Sequence, residues 1–118
     1  MEKFLVTTPT SGDYLTTVRL TTGGLCAMAE FDVDSTEDFK VCVTESLLIL
    51  KRSGYQIANI TFTIGEALGC FVEGVGAPVN AEESVEDEIS YALLNALLGK
   101  VEFGKNDGGR VASIAFEG

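Results

Sequence analysis

A single glutamate, Glu45, lies in an otherwise apolar run near the middle of the chain, within residues 34–55. A carboxylate in such a place can accept a proton from water or from a hydroxyl group, as a general base does. It can equally be a hydrogen-bonded helix acid that takes no part in any reaction. The surroundings of Glu45 decide between these two interpretations.

Cysteine and histidine usage excludes several other kinds of site. Cys26, Cys42 and Cys70 lie far apart, show no CxxC spacing and have no histidine that could complete a zinc site. Each of them lies in an apolar segment, so we predict three buried free thiols. The chain contains no histidine, which excludes His-based catalytic triads, His metal ligands and an imidazole pH switch.

Residues 34–55 have the pattern of a helix that would carry Glu45. Asp34 or Ser35 is suited to the N-cap, and Ser53 and Gly54 are suited to the end of the helix. The apolar residues cover much more than a narrow stripe, which predicts a largely buried helix. These residues are Phe39, Cys42, Val43, Leu47, Leu48, Ile49 and Leu50.

Helical spacing predicts one further helix on each side of this one. The first covers residues 14–30, and its predicted buried face consists of Tyr14, Val18, Leu25 and Met28, with Thr21 filling the same face. Gly23 and Gly24 interrupt it, at a bend, at a close backbone contact or as a tolerated weakness. The last helix starts after the N-cap Ser84 and ends at Gly99. Its predicted buried face consists of Val85, Ile89, Ala92, Leu93, Ala96 and Leu97.

Alternating apolar and polar residues predict five strands, at residues 3–8, 57–64, 68–72, 101–103 and 111–116. The short turn at residues 65–67 predicts a hairpin between the second and third strands. An acidic loop is predicted at residues 80–83. The order of strand, helix, helix, two strands, helix and two strands predicts a single two-layer α+β domain over residues 1–118.

The charge of the chain limits its partners. Its 118 residues include 18 acids and 8 basic residues, and the resulting net charge of −10 argues against binding to nucleic acid or to an anionic membrane. A basic protein partner is compatible with this charge. No apolar run approaches the roughly 20 residues that span a bilayer, and we find no signal-peptide pattern, so we expect a cytoplasmic protein.

Several segments together resemble one protein family. They are residues 14–20 (YLTTVRL), 37–45 (EDFKVCVTE), 91–103 and 108–111 (GGRV). In order and spacing they resemble the anti-sigma-factor serine kinases of bacteria, which are small members of the histidine-kinase-like ATPase superfamily. The resemblance implies the Bergerat fold, with three helices on one face of a mixed, mostly antiparallel sheet.

The resemblance implies an E-x-x-x-N box on the second helix. In the family, the glutamate is taken to be the general base for attack on ATP, and the asparagine coordinates the Mg²⁺ that bridges the phosphates. Glu45 matches the glutamate, whereas Ile49 stands at the asparagine position and cannot coordinate a metal. Because the implied metal ligand is missing, we favour the interpretation of Glu45 as a solvated or hydrogen-bonded helix acid.

The resemblance also implies a nucleotide motif, D-x-G-x-G, at the end of a strand. Either Val72 or Gly74 occupies the aspartate position, depending on the register, and neither side chain can contact an adenine amino group. Glu73 is predicted to point to the opposite face. Gly74 and Gly76 remain from this degenerate motif, either in a small ligand pocket or in an ordinary turn. The acidic residues within 82–90 replace a glycine-rich phosphate segment and would repel a triphosphate.

These departures predict a degenerate member of the family that needs neither ATP nor Mg²⁺. We expect it to bind a protein partner, either a sigma factor or a STAS-domain antagonist. Arg19 matches a helix arginine that lies near the partner-binding surface in the family, and it is equally compatible with a salt-bridged surface residue. The alternatives are a divergent serine protein kinase that uses ATP, Mg²⁺ and Glu45 as general base, and a structural subunit that forms a homodimer.

Overall fold

The computed structural model describes residues 2–79 and 85–118, and it confirms the predicted order of elements. β1 (Glu2–Pro9) is followed by a short 3₁₀ turn (Gly12–Tyr14), α1 (Leu15–Met28) and α2 (Val33–Arg52). β2 (Ile57–Ile64) and β3 (Leu68–Val75) form the predicted hairpin. α3 (Val85–Leu98), β4 (Val101–Lys105) and β5 (Val111–Glu117) complete a compact α+β fold.

The strands of the sheet lie in the order β1-β2-β3-β5-β4, and every neighbouring pair in the described ranges is antiparallel. The expectation of a mixed sheet is therefore wrong, and the connections explain why. Two consecutive helices join β1 to β2, so the chain returns in the opposite direction. The single helix α3 makes β3 and β4 run in the same direction, but β5 lies between them and is antiparallel to both.

The helices cover one face of the sheet, and the core lies between the two layers. Inward-facing side chains of the central strands, such as Ile60, Val72 and Ile114, are fully buried. Outward-facing residues such as Thr61 and Phe71 are half-buried or exposed. α2 lies in the middle of the helix layer, because it contacts α1, α3, β3 and β5.

α2 is the largely buried helix that the sequence predicts, but it begins earlier than expected. Its N-cap is Asp32, because the Asp32 carboxylate accepts a hydrogen bond from the backbone N–H of Ser35 at 2.7 Å. This hydrogen bond lowers the pKa of Asp32. The prediction of Asp34 or Ser35 as N-cap is therefore wrong. The end of the helix agrees with the prediction, since Gly54 follows it with φ of 98°.

The buried face of α1 differs from the predicted one. Its buried residues are Val18, Thr22, Leu25 and Cys26. Tyr14 and Met28, which the pattern places on this face, are exposed. An apolar pattern does not detect Thr22, because its polar hydroxyl group is satisfied within the helix by a 2.8 Å hydrogen bond to the Val18 carbonyl oxygen.

Glycines occupy one helix contact and one helix end. Gly23 faces the side chain of Lys40 on α2, and a Cβ atom at this position would lie 2.8 Å from Cε, near the end of that flexible side chain. Gly99 ends α3 as predicted, with φ of 74°. The predicted N-cap Ser84 and the predicted acidic loop at residues 80–83 lie outside the described residues.

α3 departs furthest from its predicted pattern. The buried residues among its described side chains are Asp87, Ser90 and Leu94. Ile89 is 65% exposed, and Ala92 and Ala96 are exposed as well. The predicted apolar face is wrong at these three positions, because polar side chains make the contact between α3 and α2.

Candidate functional site

Glu45 lies half-buried on α2, and its carboxylate is engaged inside the protein. The Ser90 hydroxyl group on α3 donates to Glu45 Oε2 at 2.8 Å. The same hydroxyl oxygen accepts a hydrogen bond from Arg52 Nη2 at 2.7 Å. Ser90 on α3 thus bridges Glu45 and Arg52 of α2 across the contact between the two helices. This geometry fits the interpretation of Glu45 as a hydrogen-bonded helix acid.

Asp87 joins the same group of side chains from the first turn of α3. Arg52 Nε donates to Asp87 Oδ1 at 2.5 Å, and Arg110 Nη2 lies 3.5 Å from Asp87 Oδ2. Arg110 Nη2 also donates to the backbone carbonyl oxygen of Arg52 at 3.3 Å. We call Glu45, Arg52, Asp87, Ser90 and Arg110 the polar junction.

Helix geometry and strand order bring the polar junction together. Glu45 and Arg52 are two turns apart and lie on one side of α2, and Asp87 and Ser90 are three residues apart on α3. Arg110 comes directly before β5 and reaches the helices from the sheet. The carboxylates of Glu45 and Asp87, together with that of Glu86 at 3.8 Å from Arg52, lie around the two guanidinium groups. Among the described residues no buried side-chain nitrogen or oxygen lacks a hydrogen-bond partner.

Ile49 lies between Glu45 and Arg52 on the same side of α2 and is fully buried. Val72, one of the two candidate aspartate positions, is fully buried in the same core. Neither residue lines any of five pronounced clefts on residues 2–79 and 85–118, and Glu45 lines none of these five either. Within residues 2–79 and 85–118, no cluster of three or more acids or cysteines is arranged to hold a metal ion.

Gly74 and Gly76 serve two different purposes in the fold. A Cβ atom at Gly74 would overlap the ring of Tyr55, a buried side chain whose hydroxyl oxygen accepts from Asn106 Nδ2 at 3.1 Å. Gly76 has φ of 81° in the turn after β3, and a Cβ atom there would meet nothing within 4 Å. The ring of Tyr55 thus occupies the space that the missing side chain of Gly74 leaves. Glu73 lies on the face of β3 opposite to Val72 and Gly74, as strand alternation predicts.

Arg19 lies on the exposed side of α1 and takes no part in the polar junction. In the described part of the chain its side chain forms no ion pair, so the salt bridge that we considered for it is not found there. Leu20, which follows it, is 72% exposed, and Met28 is 66% exposed. Arg19 is also the one charged residue in the sequence of α1.

The three cysteines are free and buried, as predicted. Burial raises the pKa of Cys42 to about 12. Burial also raises the pKa values of Cys26 and Cys70 above the ordinary value of 9.0. All three thiols are therefore protonated at neutral pH, and none provides the thiolate that a reactive cysteine needs.

A cleft of about 450 Å³ adjoins the polar junction, between α3 and the β4–β5 hairpin. Its lining includes Asp87, Glu88, Tyr91, Phe103, Lys105 and Arg110. The rings of Tyr91 and Phe103 form an edge-to-face pair with centroids 5.0 Å apart. Burial, with a smaller contribution from the Asp87 carboxylate, raises the pKa of Tyr91. The cleft thus combines an aromatic wall with charges of both signs.

Sequence reasoning does not identify the partners of Glu45. From the sequence alone, Arg52 in the last turn of α2 and Asp87 in the first turn of α3 fit local roles, in which each complements the dipole of its own helix. The sequence signal that could have pointed to these partners is the spacing of Asp87, Ser90 and Leu94. Because they are three and four residues apart, they lie on one side of α3. A buried polar side of a helix cannot be recognised from apolar periodicity.

Comparison with known proteins does not assign the chain to a family. A scan against profiles of protein families found no match, and a search of curated proteins found none. Each helix within the described residues is too short or too polar to cross a membrane. Function must therefore be inferred from the geometry of the site.

Proposed function

We propose that the protein is a regulatory protein of the anti-sigma-factor serine-kinase type that no longer binds ATP and acts by binding another protein. One observation supports this proposal: the positions that the resemblance assigns to ATP and its metal are filled from inside the protein. Ile49 is buried where the metal ligand would stand. Tyr55 lies against Gly74, and Glu45 is bonded to Ser90. A bound nucleotide would have to displace these contacts.

A degenerate Bergerat fold is part of the same proposal. The order of elements, the helix layer on one face of the sheet and the position of Glu45 on the central helix support it. The fully antiparallel sheet differs from the mixed sheet that the resemblance implies. We propose a cytoplasmic location, because three free thiols suit a reducing compartment.

We assign the exposed side of α1 to the protein partner, a sigma factor or a STAS-domain protein. Leu20, next to Arg19, presents an apolar side chain there that is 72% exposed, and exposed apolar groups favour burial in an interface. Arg19 offers a guanidinium group on a helix without acids. A carboxylate of the partner can pair with it bidentately, which would fix the orientation of the complex.

Binding to purified sigma factors and STAS-domain proteins from the same genome tests this proposal. We expect Arg19→Glu and Leu20→Asp each to weaken binding by about tenfold or more, which corresponds to about 1.4 kcal/mol. Lys51→Glu is the matched control, because Lys51 is also exposed and lies on another helix. The substitution reverses a positive charge in the same way as Arg19→Glu. Failure of every candidate to bind, or equal effects of Arg19→Glu and Lys51→Glu, would show that the proposal is wrong.

The alternative is a divergent serine protein kinase that uses ATP, Mg²⁺ and Glu45 as general base. It rests on Glu45, which stands at the position of the general base that the resemblance implies. Phosphotransfer to a STAS-domain protein would be measured with Glu45→Gln. Phosphotransfer that persists unchanged in this variant would exclude Glu45 as the base.

A homodimer is compatible with either function. β1 is an edge strand of eight residues, and Leu5 on it is 70% exposed. An edge of this kind can pair with another strand. Sedimentation equilibrium at high protein concentration would test for the dimer, and a purely monomeric result would exclude it.

A further inference from the structure

Two guanidinium groups converge on one carboxylate in the polar junction. Arg52 reaches Asp87 Oδ1 at 2.5 Å, and Arg110 reaches Asp87 Oδ2 at 3.5 Å. The Ser90 hydroxyl oxygen accepts a hydrogen bond from Arg52 Nη2 at 2.7 Å. Paired arginines around a single acid resemble the arrangement by which proteins hold an oxyanion such as phosphate. Here the oxyanion is a side chain of the protein itself.

Polar contacts, more than apolar ones, hold the start of α3 in place. Asp87 is 7% exposed, whereas its apolar neighbour Ile89 is 65% exposed. Leu94 is the first fully buried apolar side chain that the structure describes along α3. An anion that replaced Asp87 would therefore compete with the main attachment of the first two turns of this helix.

The cleft between α3 and the β4–β5 hairpin gives solvent access to this group. Arg110 and Asp87 both line it, and Lys105 adds a cation at its exposed rim. A small anion could therefore approach Arg110 without crossing the apolar core. Glu88 in the same cleft and Glu86, 3.8 Å from Arg52, oppose an incoming anion.

We propose that Arg52 and Arg110 form a binding site for a phosphoryl group, and that Asp87 occupies this site as a tethered competitor. A phosphoryl group carries up to two negative charges and three acceptor oxygens, so it can pair with both guanidinium groups more strongly than one carboxylate can. Binding would release Asp87 and loosen the start of α3. This site is separate from the α1 surface and does not depend on the partner proposed for it.

Titration with inorganic phosphate, followed by NMR, tests the proposal. We expect Asp87→Asn to bind phosphate at least about tenfold more tightly than wild type, because it removes the competing charge and keeps an acceptor for Arg52. Glu88→Gln is the matched control, since it removes one charge from the same cleft without touching either arginine. Equal affinities of the two variants, or no phosphate binding by Asp87→Asn, would overturn the proposal.

Two further measurements keep the test decisive. Adding Arg110→Gln to Asp87→Asn should abolish the gain in phosphate affinity, and persistence of the gain would contradict the assigned site. If Asp87→Asn does not fold, millimolar phosphate added to wild type should shift the side-chain resonances of Arg52 and Arg110 but not that of Arg19. Equal shifts at all three arginines, or none, would contradict the proposal.

A short phosphoserine peptide distinguishes the two sources of a phosphoryl group. Tighter binding of the peptide than of inorganic phosphate to Asp87→Asn would identify a phosphorylated side chain as the ligand. Equal binding would identify a free phosphate or a small phosphate ester. Both results support the site, whereas binding of the unphosphorylated peptide with the same affinity would contradict it.

Discussion

α2 and α3 pack side by side in one helix layer, yet they are held by different interactions. α2 buries apolar side chains such as Phe39, Leu47 and Ile49 along most of its length. α3 buries Asp87 and Ser90 and exposes Ile89. The orientation of α2 therefore follows from the hydrophobic effect. That of the first two turns of α3 follows from hydrogen bonds and ion pairs to Glu45, Arg52 and Arg110, while Leu94 adds apolar burial farther along the helix.

This difference shows why the position of Glu45 is easy to find from the sequence and its role is hard to interpret. Apolar periodicity locates α2 and hence Glu45, because burial of apolar area determines which side of α2 faces the core. The role of Glu45 depends on Ser90 and Arg52, whose contacts are polar and partly distant in sequence. The role of Glu45 therefore depends on which side of α3 faces it.

The largest expected effect is on the free energy of unfolding, when isoleucine is replaced by asparagine on α2 and, for comparison, on α3. Ile49→Asn should lower the free energy of unfolding by about 3–5 kcal/mol, because it buries an unpaired amide and removes apolar packing. Ile89→Asn should change it by less than about 0.5 kcal/mol, since Ile89 is exposed. Urea unfolding measures both variants. Equal losses would contradict the orientation of α3.

Asp87→Ala should cost about 2–3 kcal/mol of unfolding free energy, because it leaves two guanidinium groups without their shared carboxylate. This expected loss is smaller than the loss on breaking a fully buried ion pair, because the Arg52 and Arg110 side chains are 17% and 19% exposed. Glu88→Ala, one residue away and exposed, is the control and should have little effect. A loss no larger than that of Glu88→Ala would show that the polar junction does not hold α3.

Gly74→Ala should lower the free energy of unfolding by about 2 kcal/mol, because the new methyl group would overlap the ring of Tyr55. Gly24→Ala on α1 is the matched control. A Cβ atom at Gly24 meets nothing within 4 Å, and alanine favours a helix by up to about 1 kcal/mol. Thermal unfolding that ranks Gly74→Ala at or above wild type would show that Tyr55 does not pack against Gly74.

The smallest effect concerns the thiols, which should not react with a thiol reagent in the native protein at pH 8. The folded-state pKa of Cys42 is raised to about 12 from its ordinary 9.0, so the protonated thiol is the form that folding favours. The stabilisation this provides is fully present below pH 9 and is lost as the pH rises toward 12. Rapid labelling without denaturant would contradict the burial, and urea should expose all three thiols.

Much of the fold follows from the sequence because it depends on apolar patterns. The strands, the hairpin of β2 and β3 and the buried face of α2 all have clear periods of two or of about 3.6 residues. The N-cap Asp32 lies just outside the apolar pattern, so the sequence places the helix start too late. The position of β5 between β3 and β4, which makes the sheet fully antiparallel, depends on long-range pairing that no local pattern encodes.

The candidate site is less predictable than the fold. Ile49 is informative from sequence alone, because an apolar residue cannot bind a metal. The contact of Tyr55 with Gly74 and the bridge from Arg110 to Asp87 join residues far apart in the chain. Such contacts form only when the sheet and the helix layer are assembled.

Titration calorimetry with Mg-ATP tests the central claim most directly, because Ile49, Tyr55 and the polar junction fill positions that the resemblance assigns to the nucleotide and its metal. The expected result is no measurable binding of Mg-ATP by wild type, and none by Ile49→Asn, the variant that restores the asparagine of the implied metal-binding box. Binding of Mg-ATP by the wild-type protein with micromolar affinity would contradict the claim.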